Sequence, residues 1–459
     1  MVFSTPLFLF VFLPPVLLLS FILPKRARNA FLLFANMVFY AYGEPKYALL
    51  MAGSIVVNYV FGILIGKKRG KKLGKVFLAC SVAVNVAALC YFKYTGLVIE
   101  TLQKLGAFSS LELIDIALPI GISFYTFQEI SYLIDVYRGE CMATVNIIDF
   151  ASYVSLFPQL IAGPIVRYID VEKSLHDRKI SAHDVSIGVR LFVIGLSKKV
   201  MLANRFGILW GEIGSDPAAF GTLGAWVGAI AFTMQIYFDF SGYSDMARGL
   251  GKMLGFDFCI NFNYPYISKS VTEFWRRWHI SLSGWFRDYV YIPLGGNRVK
   301  TARFCFNILV VWALTGLWHG AGWNFLFWGF YYGVILLLEK LVFGKYLKEL
   351  PDIFGHIYTM FIVLVGWIFF ASDSFSGALS YLKIMFTPAV GDVKAILPWI
   401  FTLLIGIAAA TPLGRNLWNK RKEGRVTAVA EIALCLAAMY ICTASLVSDS
   451  YNPFLYFRF

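Results

Sequence analysis

The sequence predicts an all-α, polytopic integral membrane protein. Three observations carry that reading: 59% of residues are hydrophobic, only 15% are charged where soluble domains carry about 25%, and mean hydropathy is +0.68. Apolar runs of helix-crossing length recur along the whole chain, separated by short basic loops.

Taken in order, the first run covers residues 2–23 and is followed at once by Lys25, Arg26 and Arg28. It has neither a basic leader nor a small-x-small cleavage pattern, so it reads as a retained helix and not as a signal peptide. Runs 29–42 and 47–65 flank Glu44-Pro45-Lys46 as an out-and-back pair. Further crossings are expected at 76–92, 118–136, 150–166, 188–210, 220–237, 304–318, 323–338, 357–370, 396–411 and 426–446. The total is about 11–14 transmembrane or re-entrant helices in a single membrane-embedded domain, 1–459, with no internal repeat and no long linker. Net charge is +14, but its lysines and arginines cluster at 25–28, 67–75, 298–303 and 415–425, each beside an apolar run. That distribution sets topology and argues against a nucleic-acid partner. It places these loops in the cytoplasm and both termini outside, with 447–459 an extracytoplasmic aromatic tail. The seven cysteines lack CxxC spacing and lie mostly in apolar runs, so they read as packing residues, with no disulfide framework and no metal site.

The chemistry-bearing residues gather in three places. Between Phe304 and Leu338 the only acidic or basic side chain is His319, set among Trp, Phe, Leu and Gly. As one helix these residues would span roughly 52 Å, far more than a ~30 Å hydrocarbon core, so the chain must break, and Gly320-Ala321-Gly322 is the place. An imidazole at such a break is either a functional group or a partner for a loose carbonyl. The stretch 264–297 interleaves charge with aromatic rings and holds a second histidine in Trp275-Arg276-Arg277-Trp278-His279. It fits a re-entrant helix lining a cavity or an amphipathic helix on the cytoplasmic surface. Trp275, Trp278 and His279 fall on one helical face there, away from Arg276 and Arg277. The third place is 235–245, where Asp239 and Asp245, six apart, do not share a helical face. They are expected to pair with arginines or orient a histidine. No nucleophile elbow, phosphate loop or metal-ligand spacing appears.

Three motifs carry a resemblance: Trp275-Arg276-Arg277-Trp278-His279-Ile280-Ser281-Leu282, then Tyr289-Val290-Tyr291-Ile292-Pro293-Leu294-Gly295-Gly296-Asn297, then Leu317-Trp318-His319-Gly320-Ala321-Gly322-Trp323-Asn324. Together with Tyr237-Phe238-Asp239-Phe240-Ser241-Gly242-Tyr243-Ser244-Asp245, the opening Met1-Val2-Phe3-Ser4 and the ending Asn452-Pro453-Phe454-Leu455-Tyr456-Phe457, they resemble the membrane-bound O-acyltransferase (MBOAT) superfamily, in its alginate O-acetyltransferase-like bacterial branch. The resemblance implies helices around a central tunnel in the bacterial inner membrane. It also implies transfer of an acyl group, acetyl first, from a cytoplasmic thioester donor to an exported cell-envelope polysaccharide. The donor is acetyl-CoA or an acyl-carrier protein, with no permanently bound cofactor, and an extracytoplasmic acyltransferase partner is expected. His319 is then the catalytic residue, with His279 beside it. Trp275, Arg276, Arg277, Trp278, Trp318, Asn324, Asp239 and Asp245 support the site.

The chemistry suits an imidazole, since a hydroxyl attacking a thioester must lose its proton to a base of near-neutral pKa. Asn324, Ser281 and the indole N–H groups are candidate donors to the developing oxyanion. The terminal Phe454-Leu455-Tyr456-Phe457-Arg458-Phe459 resembles the aromatic C-terminal peptide of the small partner subunit in teichoic-acid D-alanylation systems. Tyr456 is then either an acyl relay or part of an interfacial aromatic belt. A D-alanyl transferase of the teichoic-acid type, a polytopic transporter and a non-catalytic export scaffold remain as alternatives.

Overall fold

A computed structural model describes residues 1–106, 116–421, 424–448 and 454–455. Among the described residues the chain is helical, with no β-sheet. Among the described residues seven helices are long and apolar enough to cross a membrane, and an eighth span is counted if the pair Lys394–Ala409 and Leu413–Asn419, bent by 58°, crosses as one. Tyr456 lies outside the described residues.

The chain divides into two compact units. The first comprises Met1–Phe192 and Ser244–Cys259. Its spans Pro45–Lys67 and Lys72–Lys104 pack with Ile122–Arg138. Small and amide residues set their spacing: a Cβ on Gly62 would stand 2.7 Å from the Tyr132 ring, and Asn58 and Asn85 exchange amide hydrogen bonds at 3.1 and 2.6 Å. Such interhelical amides satisfy groups that lipid would leave unpaired. Phe3, Phe8, Phe12, Phe39 and Phe157 close the N-terminal end of this unit as a ring cluster.

The run 150–166, expected as a crossing, is not one helix. It forms Ile147–Val154 and the single turn Phe157–Leu160, followed by irregular chain. Pro158 removes a backbone donor, Gly163-Pro164 cannot continue a helix, and buried Gln159 donates to the Tyr153 carbonyl at 2.7 Å. The segment is apolar because it is buried in protein.

The second unit, Val193–Tyr243 with Ile260–Phe459, contains both Trp-flanked histidines. Its centre is a hairpin of Thr301–His319 and Trp323–Leu338, broken at Gly320-Ala321-Gly322 as the length argument requires. The two helices meet backbone to backbone. A Cβ on Gly329 would fall 2.2 Å from the Trp312 carbonyl oxygen, and one on Gly316 would fall 2.3 Å from that of Phe325. Small residues permit this closeness, which is how helices associate where no hydrophobic effect drives them together. Ahead of the hairpin runs an irregular stretch of short helices, Val271–Arg277, Ile280–Phe286 and Arg287–Tyr291.

Candidate active site

His319 ends the first hairpin helix and is 6% exposed. Three rings meet it edge-on: Trp318 at 5.0 Å, Trp328 at 5.1 Å and Phe370 at 5.2 Å between centroids. Gly320 must be glycine here, since a Cβ would enter the Phe325 ring at 2.2 Å. The imidazole is therefore held in a fixed aromatic frame at a helix break.

His279 is reached by a different route. The helix Val271–Arg277 stops before it, Trp278 is extended, and His279 takes a left-handed conformation at φ 44°. Such a conformation is uncommon outside glycine and persists only where the surroundings hold it. Trp275, Trp278 and His279 thus do not share one continuous helical face as the spacing suggested, yet all three line one cavity. Asn261 fixes the turn. Its Oδ1 accepts from the Ser281 backbone N–H at 3.1 Å and from Ser281 Oγ at 2.9 Å, and stands 3.2 Å from His279 Nδ1. Because a backbone N–H can only donate, that Asn261 atom is the oxygen, so His279 Nδ1 carries the proton. The lone pair is left on Nε2, which has no hydrogen-bond partner among the described residues. Phe240 at 4.7 Å and Trp318 at 5.9 Å flank the ring.

Both imidazoles line a single cavity of about 350 Å³. One wall is a stripe on the first hairpin helix, Phe304, Ile308, Val311, Thr315 and His319, with burial increasing toward the histidine. Exposed Arg276, Arg287 and Lys340 line the cavity as well, so positive charge stands at its solvent side and indole at its end. His319 also borders a second, much smaller space of about 10 Å³ with Trp278, Asp239 and Leu455. Asp239 makes a buried ion pair with Lys199 at 2.6 Å, and its other oxygen accepts the Leu455 backbone N–H at 2.8 Å.

The remaining expected site residues are placed elsewhere. Arg277 turns back to Glu273 at 2.8 Å and to the Asn263 carbonyl. The Asn324 amide donates to the carbonyls of Ser372 at 2.8 Å and Phe369 at 3.4 Å, tying the second hairpin helix to Asp352–Ala371. Asp245 belongs to the first unit, where it pairs with Arg248 at 3.4 Å. Among the described residues no cluster of His, Cys, Asp or Glu could hold a metal.

Two residues that organise the site were not singled out by the sequence. Asn261 is one, since nothing local ties it to a histidine 18 positions on. Glu339 is the other: buried, it accepts from Val271 N at 2.7 Å, Thr272 N at 2.8 Å and Thr272 Oγ1 at 2.5 Å, anchoring the helix that delivers Trp275. An anion at a helix N-terminus is favourably placed. Its one hint was position, the first acid after 34 apolar or polar neighbours of His319.

A buried pair of imidazoles at the end of an apolar cavity is suited to moving a proton off a hydroxyl, and similarity supplies the class. Residues 140–372 match the model of MBOAT, the membrane-bound O-acyltransferase family, and the chain belongs to that family. It is a multi-pass membrane enzyme, an O-acyltransferase, which sets aside the transporter and scaffold alternatives. Among its relatives, the probable alginate O-acetylase AlgI of Pseudomonas aeruginosa is 43% identical over 84% of this chain and 75% of its own length. The probable alginate O-acetylase AlgI of Pseudomonas putida is 39% identical over the full length of both. The peptidoglycan O-acetyltransferase of Helicobacter pylori is 35% identical over 83% of this chain and 79% of its own.

Proposed function

We propose that this enzyme takes an acetyl group from a thioester donor, acetyl-CoA or an acyl-carrier protein, at the cytoplasmic face of the bacterial inner membrane and passes it outward for O-acetylation of an exported polysaccharide. The observation that carries this reading is the shared cavity: His319 and His279 close its buried end, and three cationic side chains stand where an anionic donor enters. The relatives named as alginate and peptidoglycan O-acetyltransferases favour acetyl over D-alanyl as the group moved.

In this mechanism His319 removes the acceptor hydroxyl's proton as its oxygen attacks the thioester carbonyl. The carbon–sulfur bond then breaks, and the same proton leaves on the departing thiol. His279, with its proton fixed on Nδ1 by Asn261, keeps Nε2 as a buried acceptor and leaves the His319 environment free of added charge. The first acceptor is the Tyr456 hydroxyl, which forms an ester and hands the acetyl group to an extracytoplasmic partner enzyme.

The test is transfer from a labelled acetyl thioester by the purified enzyme in proteoliposomes. His319→Ala should lower the rate by about 10²–10⁴-fold, the span typical of a general base, with the thermal melt preserved. Wild-type transfer by that variant would overturn the assignment. Intact-mass analysis during turnover should find one acetyl group on the terminal peptide, absent in Tyr456→Phe.

A further inference from the structure

We propose that the buried Lys199–Asp239 pair is the seat of the chain's own C-terminal segment, holding it beside His319, and that Asp239 is thereby a positioning residue for transfer. The second half rests on the function proposed above; the first half does not.

The observations are local and independent of the catalytic chemistry. Asp239 and Lys199 are each 3% exposed at their side chains and 2.6 Å apart. A buried ion pair is weak evidence of stabilisation, because desolvation offsets much of its attraction, so its presence calls for another use. One carboxylate oxygen faces the Lys199 ammonium, and the other accepts the Leu455 backbone N–H at 2.8 Å. Leu455 is 216 positions from Asp239, so this bond is a tertiary choice, and it is the charge-assisted kind that outweighs a neutral one. Phe454 supplies the anchor: it is 6% exposed, its ring lies 4.8 Å from Tyr243, and the Lys199 ammonium stands 6.0 Å from its centroid. Seated this way, Leu455 borders the small space that His319 also borders. At about 10 Å³ that space holds one water at most, so the segment closes on the histidine with little slack. Tyr456 is the next residue along the chain.

The pair therefore reads as a peptide-binding site whose occupant is covalently attached. Recognition at 455 runs through the backbone N–H, while the aromatic at 454 and the carboxylate at 239 set register.

The experiment uses the full-length enzyme in detergent, with carboxypeptidase trimming followed by intact mass and, in parallel, acetyl transfer. The wild-type terminus should resist trimming. Phe454→Ala and Asp239→Ala should each speed it by about tenfold or more, as expected for losing a packed anchor or a hydrogen bond to a charged group, and transfer should fall in the same variants. Because Asp239→Ala orphans a buried ammonium and can disturb folding, the double variant Asp239→Asn with Lys199→Met decides the point. It keeps an oxygen for the Leu455 N–H without either charge, and it should restore both protection and transfer. Trimming at the wild-type rate in both single variants, or lost transfer with the terminus still protected, would overturn the proposal. If the wild-type enzyme moves no acetyl group at all, the functional reading fails, and the trimming comparison still decides the seat.

Discussion

At the scale of single residues, His279 shows how a site can hold an imidazole neutral without a metal or a carboxylate. It lies in the irregular stretch between spans, is 1% exposed, and burial pushes its pKa down to about 3. The unfolded chain titrates near the ordinary 6.5, so between these values the unfolded state binds the extra proton. Stability is then fully present above pH 6.5 and declines as pH falls. From pH 7 to pH 5 this one residue should cost about 2 kcal/mol. Thermal melts in detergent across that range should show the slope in the wild type and a shallower one in His279→Gln. Asn261→Ala removes the shared acceptor for His279 and Ser281. It should destabilise by about 1–3 kcal/mol and lower kcat more than it raises KM, which steady-state kinetics on the labelled thioester would resolve.

At the scale of elements, the glycine-lined hairpin is what holds His319 still. Gly329→Ala pushes a methyl group into the Trp312 carbonyl and should cost about 1–3 kcal/mol, read as a lower melt with reduced transfer. Gly284→Ala is the contrast. Its Cβ would meet nothing within 4 Å, and in the helix Ile280–Phe286 it should be neutral or stabilising by up to about 1 kcal/mol. The same elements show what a sequence reveals and what it hides. The break at Gly320-Ala321-Gly322 was legible because length alone forbids a continuous helix. The turn at His279 was not, because its left-handed backbone depends on an asparagine supplied from outside the motif. Window hydropathy also read 150–166 as a crossing, since averaging over the window cannot tell apolar residues facing lipid from apolar residues facing protein.

At the scale of the whole molecule, the basic loops make the orientation testable. A protease site inserted at Gly424, between the bent pair and Arg425–Ser448, should be cleaved in inside-out vesicles and protected in right-side-out ones. Fold class and both histidines were readable from the chain. Their meeting in one cavity was legible only through the family resemblance, since no spacing in the sequence shows the hairpin and the irregular stretch packing together through Trp275 and Trp312, 4.7 Å apart.

The stripe from Phe304 to His319 carries one more implication. Fifteen residues of helix measure about 22 Å, so under the function proposed above an acetyl group presented at the solvent end needs a slender arm of about that reach to meet the imidazole. Small free thioesters have no handle by which the distant cations could steer them. Selection among donors would then depend on tether length and anionic head together, leaving the two-carbon cargo itself nearly unread.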